Sequence, residues 1–329
     1  MHNDIPVFTI SLDFELYWGI FDRVPLEEKT LYFENTRRVI PKMLSHFKKE
    51  QVRVTWATVG MLFAEDWDDW TASNPEAVPA YENPLLSSYR LKNLYAGKQE
   101  LKSCFFTPAL VDQIQNTPYQ EMATHTYSHY YCREVGQTFE QFRIDLQAAK
   151  RIAARRGIEL HSMVFPRNQL NDNYLKVCFD EGIKTVRSNP VDWFWDMDVK
   201  ERLIKRMFRS ADAYMPIGSK TPYKLSSLQL KDGLPLAIPA SRLLRPLHPK
   251  YTFLNRMRLK RVLGEMTAAA KANECYHLWW HPHNFGDNPA QSMQDLVVIL
   301  KHFITLKEKY GMVSMSMLDI YNHIKSNKA

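Results

Sequence analysis

Met122-Ala-Thr-His-Thr-Tyr-Ser-His129 starts as a strand and ends in two histidines four residues apart, separated by hydroxyl-bearing residues and a tyrosine. Imidazole is the commonest metal ligand among side chains. One H-x-x-x-H pair is a weak signal alone, so its meaning depends on what the other strands carry at the same end. Upstream, Val7-Phe-Thr-Ile-Ser-Leu-Asp-Phe14 reads as a buried strand, and Val52–Thr58 as a second. Downstream, strands are expected at Ser162–Phe165, Lys184–Arg187, Pro235–Ile238, Tyr276–Trp280 and Met312–Met315. Between them run helical spacings over residues 28–50, Phe139–Arg156, Asn173–Glu181, Leu254–Asn273, Ser292–Tyr310 and Leu318–Ile324. Gly157 and Gly182 follow two of these runs as stop signals.

Strand and helix in alternation imply a parallel sheet covered by helices. Seven or eight such units close most naturally into an α/β barrel, a distorted (β/α)7–8 barrel occupying residues 1–329 as a single domain. Two segments break the rhythm: 64–118, rich in tryptophan and proline and expected as an inserted cap, and 196–233, expected as an irregular insertion.

Parallel α/β folds bind ligands at the carboxyl ends of their strands. Asp13 and Glu15 end the first strand and, two apart, point to the same side. His125 and His129 follow the third. Later strands run into Arg167-Asn168, into Arg187 and Asp192-Trp193, and into His281-Pro-His283. Core packing does not explain polar groups at five strand ends. Two histidines and a carboxylate make a three-ligand site with an open position, as in hydrolytic zinc enzymes. A second carboxylate can take a proton from water, a further histidine can protonate a leaving group, and an arginine can orient the carboxylate. The remaining histidines, His277 among them, have no such context and read as structural.

On these residues the chain resembles the polysaccharide deacetylase family, also called the NodB homology domain or carbohydrate esterase family four. The match runs from about residue 7 to about residue 285. His125-Thr-Tyr-Ser-His129 fits the family's His-Ser/Thr-x-x-His motif without a gap, whereas Ser11-Leu-Asp-Phe-Glu15 departs from its Thr-Phe-Asp-Asp. The resemblance implies metal ligation by Glu15, His125 and His129, with Asp13 as general base and His281 as general acid. It implies that Arg167 tunes the base and lines the groove, that Asp192 partners the catalytic histidine, and that Trp193 forms a groove wall, with Trp195 its rival. The assignment of base and ligand between Asp13 and Glu15 stays open, as does that of the acid between His281 and His283. His283 and Asn168 are further substrate-binding candidates. The implied cofactor is a divalent metal, zinc before nickel, cobalt or iron. The implied reaction is removal of an acetyl group from an N- or O-acetylated sugar.

Composition narrows the setting. With 45% hydrophobic and 24% charged residues the chain is an ordinary globular one. Its net charge of +7 is dispersed apart from Arg256–Arg261, which reads as a solvated helix face rather than a nucleic-acid site. Cys104, Cys132, Cys178 and Cys275 form no C-x-x-C pair and are expected to be reduced. The first residues pass straight into a strand with no secretion-signal pattern. A cytoplasmic protein without transmembrane segments is therefore expected. Its substrate would be a nucleotide- or lipid-linked precursor of a bacterial surface polysaccharide. Two rivals keep the same residues: an amidohydrolase of non-sugar amides, and an inactive carbohydrate-binding relative. Oligomeric state is not legible.

Overall fold

The computed structural model describes residues 4–190, 192–196, 203–248 and 250–327. Among them, nine strands form one sheet: β1 Val7–Phe14, β2 Val54–Thr58, β3 Gln120–Thr124, β4 Ser162–Met163, β5 Thr185–Ser188, β6 Leu236–Pro239, β7 Arg242–Leu243, β8 Cys275–Trp280 and β9 Val313–Ser314. Ten helices accompany them: α1 Thr30–Lys49, α2 Trp67–Ser73, α3 Leu91–Tyr95, α4 Pro108–Gln115, α5 Phe139–Ala154, α6 Asp172–Asp180, α7 Leu203–Asp212, α8 Thr252–Ala272, α9 Pro289–Tyr310 and α10 Met317–Ser326. The sheet order is β6-β5-β4-β3-β2-β1-β8-β7, with β9 also on β1, and every strand pair is parallel. That is the cyclic order of a barrel, curled and interrupted between β6 and β7. The chain itself bridges the interruption. Ala240 N–H donates to Ser188 O of β5, and Ser241 N–H donates to His277 O of β8, so one extended run leaves β5 and joins β8. The fold is the distorted (β/α) barrel that the strand-helix rhythm implies.

β1 is buried throughout, with β2 and β8 at its sides. Its even residues Phe8, Ile10, Leu12 and Phe14 join the large apolar layer beneath α1, α8 and α9. Val7 joins a second, smaller cluster with Ala57, Ala123 and Cys275, where Met317, Ile320 and Ile324 of α10 also pack. Strand period 2 then places Thr9, Ser11, Asp13 and Glu15 on the Val7 face. The acids therefore stand at the carboxyl end of an increasingly polar lumen. Capping boxes start α5 (Thr138 with Gln141) and α10 (Ser316 with Asp319).

The first insertion carries α2, α3 and α4 and packs into the core, not over the site. Trp18 Nε1–H donates to Phe105 O at 2.7 Å, and Trp18 lies parallel to Trp70. From this segment Tyr81 Oη accepts from Tyr131 N at 2.8 Å, and Ser88 Oγ donates to Ser128 O at 3.1 Å, so it braces the loop holding His129. The second insertion is less irregular than its sequence suggests, because α7 lies within it; its residues 197–202 are outside the described ones. All four cysteines are buried and unpaired. No helix among the described residues is long and apolar enough to cross a membrane.

Candidate active site

Glu15, His125 and His129 offer one ligand atom each, all within 4.8 Å of one another. Glu15 Oε2 lies 3.1 Å from His129 Nε2 and 3.3 Å from His125 Nε2. All three side chains are buried. Glu15 Oε2 and His125 Nε2 have no hydrogen-bond partner. Orphaned buried polar atoms are costly, and a cation shared with His129 Nε2 would satisfy these two. Outer contacts prepare the imidazoles for that task. His125 Nδ1–H donates to Val164 O at 2.8 Å, which turns Nε2 toward Glu15. His129 Nδ1 is 3.2 Å from Tyr131 Oη. Burial pulls the His129 pKa down to about 4, outweighing the pull of Glu15, so the ring is neutral. Burial alone would raise the Glu15 pKa, but His281, His129 and His125 outweigh it and hold the carboxyl well below its usual range. A neutral imidazole at His129 and an ionised carboxylate at Glu15 are the protonation states a metal requires of them.

The loop between the histidines explains its own sequence. Thr126 and His129 adopt left-handed backbone (φ 64° and 59°), which turns both rings to one side. Thr126 Oγ1 accepts from Tyr130 N at 2.7 Å. Tyr127 points into the core. Asp145 of α5 accepts from Tyr127 N at 2.7 Å, from Ser128 N at 3.2 Å and from Ser128 Oγ. Burial pushes the Asp145 pKa up to about 7 against these bonds. Replacing Asp145 by alanine leaves those buried donors unpaired. The expected result is a loss of ~2–4 kcal/mol in urea unfolding and metal binding weakened by about tenfold or more in a competition titration.

Glycine is required at residue 19. A Cβ there would sit 2.0 Å from Glu15 Cδ. The Gly19→Ala chain is expected to fold, with Glu15 displaced and metal affinity reduced by roughly 10–100-fold. Unchanged affinity would mean Glu15 is not a ligand.

Asp13 faces the same cleft. Arg187 of β5 grips it at both oxygens, Nη1 to Oδ1 at 2.6 Å and Nη2 to Oδ2 at 2.7 Å. Arg187 also donates to Ser11 Oγ and Asn168 Oδ1, and its guanidinium lies over the Trp279 ring. Burial works against ionisation of Asp13, yet Arg187, with His125 and His281, leaves its pKa below the usual value. His277 is part of this arrangement: its Nε2 is 2.8 Å from Ser11 Oγ. It therefore packs beneath the site and props the serine that Arg187 touches.

His281 Nε2 stands 3.7 Å from both Asp13 Oδ2 and Glu15 Oε1 and is partly exposed to the cleft. His283 stacks on it, ring centroids 5.0 Å apart, and is buried; burial pulls its pKa to about 3. Of the pair, His281 is the one placed to meet a substrate.

Three residues lie differently from the sequence reading. The guanidinium on Asp13 belongs to Arg187; Arg167 instead pairs with Asp22 and lies over Tyr131, though it does line the cleft with Asn168. Asp192 accepts from Ser219 N at 2.8 Å and is not among the acids beside His281, which are Asp13 and Glu15. Trp193 is 53% exposed and packs on Phe208 outside the cleft, whereas Trp195 and Trp279 line it. Sequence reasoning missed Arg23, Arg209 and Arg245, which also reach the cleft from turns and from α7. Arg187 carried a signal: like Asp13, it is a charge near the carboxyl end of a strand.

A curled parallel barrel with these groups at its carboxyl mouth has the polysaccharide-deacetylase fold, as the sequence resemblance implied. A Mycobacterium smegmatis protein described as a polysaccharide deacetylase is similar over 100% of this chain and 93% of its own, with a TM-score of 0.61 at 13% identity. A Pseudomonas aeruginosa PAO1 protein described likewise has a TM-score of 0.56 at 14% identity, covering 97% of this chain and 91% of its own. PuuE allantoinase also has a TM-score of 0.56, at 12% identity over 96% of this chain and 89% of its own. At such identities the likeness fixes the fold alone. No family model matches the sequence, and no curated protein does.

Proposed function

We propose that the chain is a metal-dependent hydrolase that removes an acetyl group from an N-acetylated or O-acetylated sugar. The observation that carries this reading is the convergence of Glu15, His125 and His129 beside Asp13 and His281 on one cleft. A divalent metal held by those three side chains, zinc by preference for two imidazoles and a carboxylate, supplies Lewis acidity for the acyl oxygen and acidifies water. Asp13 accepts a proton from the attacking water. Arg187 keeps that carboxylate ionised and fixed in direction. His281 donates a proton to the nitrogen or oxygen as its bond to the acyl carbon breaks. His283, held neutral, fixes the plane of His281 by stacking. Trp195 and Trp279 supply an apolar edge of the cleft wall beside His281 for a sugar ring to rest against.

The substrate class is a precursor or subunit of a bacterial surface polysaccharide, handled in the cytoplasm. A second reading, suggested by the fold's likeness to an allantoinase, keeps the centre and hydrolyses a non-sugar amide. The test strips the protein with chelator and restores zinc, nickel, cobalt or iron. Acetate release is then compared between acetylated sugars and ring opening of cyclic amides. Metal-dependent acetate release from a sugar supports the proposal. Ring opening alone transfers the reading to the amidohydrolase, and turnover of neither substrate with any metal makes the chain a binding protein.

A further inference from the structure

α7 is amphipathic with its two faces exchanged. The positions it turns toward the protein, at helical spacing, are Lys205, Phe208, Arg209 and Asp212. Lys205 and Asp212 are buried. Lys205 Nζ donates to Asp196 O at 2.7 Å, and Asp212 pairs with Arg242 at 3.0 Å and with Arg261 of α8 at 3.2 Å. Arg209 donates to Phe194 O at 2.6 Å and reaches the cleft, and Phe208 packs on the cluster of Phe194, Trp195 and Trp279 in the cleft wall. The other side carries Leu203, Ile204 and Met207, which are 70%, 52% and 62% exposed. Met215 continues the stripe, since its N–H still donates to Ala211 O, and it too is exposed. So are Ile217 and Trp193, whose ring packs on Phe208. A helix that only had to close the cleft wall would bury its leucine, isoleucine and methionine and leave its charges in water, at lower cost. Large apolar side chains gathered on one surface mark a place where another apolar body sits.

The surroundings say which body. Six side chains about one protruding helix fall far short of the ~20–30 residues a side of a stable protein interface. α7 has 10 residues, against the ~20 that a spanning helix needs, so it fits lying on a bilayer and not across one. Charge is matched to anionic lipid: Leu203 to Arg261 holds thirteen lysines and arginines against two acids, Asp212 and Asp232. Arg206 is exposed beside the apolar stripe, and α8, tied to α7 through Arg261, exposes Arg256 and Lys260. An apolar stripe with a tryptophan at its edge and cations around it is the pattern of an interfacial helix. We infer that α7 docks the protein on an anionic lipid bilayer, with Leu203, Ile204 and Met207 entering the boundary between headgroups and acyl chains. The docking does not depend on what the cleft hydrolyses. The deacetylase reading adds that the sugar is carried by a lipid in the same surface, because α7 is also part of the cleft wall.

The test uses the full chain and vesicles of phosphatidylcholine with and without phosphatidylglycerol. In co-sedimentation the protein is expected to bind the anionic vesicles about tenfold or more tightly than the neutral ones, and less as salt is raised. The double variant Leu203→Glu/Met207→Glu changes only exposed side chains and is expected to weaken that binding about tenfold or more. Leu203→Phe/Met207→Leu is expected to keep it. Circular dichroism and urea unfolding check that both variants fold. No binding of the wild type to anionic vesicles, equal binding to both kinds, or binding untouched by Leu203→Glu/Met207→Glu overturns the inference. So does a wild-type dimer that the same variant turns monomeric, because a second copy then covers the face. Acetate release keeps the two readings apart. On a soluble acetylated sugar Leu203→Glu/Met207→Glu is expected to match the wild type, whereas on a polyprenyl-linked acetylated sugar in anionic vesicles its rate falls with its binding. Vesicle binding as expected, with acetate released from neither substrate, overturns the deacetylase reading and leaves the docking standing.

Discussion

Replacing His129 by alanine is expected to remove metal binding and to cut acetate release on the order of a thousandfold or more. The ring is buried and neutral, its Nε2 is 3.1 Å from Glu15 Oε2, and its Nδ1 touches only the Tyr131 hydroxyl. Its loss therefore leaves two donors where three converge, with little else disturbed. The apo form should unfold at nearly the wild-type urea concentration. What should vanish is the stabilisation by added metal, since a ligand raises stability only as far as it binds the native state. A His129→Ala protein whose melting temperature still rises with zinc as in the wild type would place the ion elsewhere.

Arg187→Met is expected to have the largest effect on stability, about 3–5 kcal/mol, because it strips the buried Asp13 of the guanidinium that binds both its oxygens. The sign of the pH dependence should also reverse. In the wild type the Asp13 pKa lies below its unfolded value, so its contribution is present above about pH 4 and fades as pH falls through the folded pKa. In the variant, desolvation raises the carboxyl above its unfolded pKa. It then binds its proton more tightly folded than unfolded, and between about pH 4 and 7 stability should increase on acidification. Activity should follow the same group, with the acid limb of kcat/KM moving up by about one to two pH units. Urea titrations at several pH values read the first effect and a pH–rate profile the second. If both chains lose stability in parallel on acidification, the ion pair does not set the charge of Asp13.

The barrel was legible because its parallel strands are buried on both faces and so read as apolar runs, as in Val7–Phe14, with strong helical spacings between them. The convergence of Glu15, His125 and His129 was legible for a local reason: these residues lie immediately after strands, where period and position both speak. The groups that escaped are those whose role depends on long-range approach. Arg187 and Arg167 both follow strands, and no spacing says that the first meets Asp13 while the second turns to Asp22. Asp192 and Trp193 sit beside a turn whose backbone direction only the tertiary structure sets. α7 escaped because its apolar residues Leu203, Ile204 and Met207 face solvent, against the pattern that marks a packed helix. The cleft arginines sit in turns or on that helix, where a basic residue is ordinarily just solvated.

The most direct check is elemental analysis combined with anomalous diffraction on crystals of the metal-loaded protein. It should show a single divalent ion per chain within bonding distance of Glu15, His125 and His129, absent from His125→Ala crystals grown alike. A well-folded wild-type chain that holds no ion between those side chains at millimolar zinc would contradict the account.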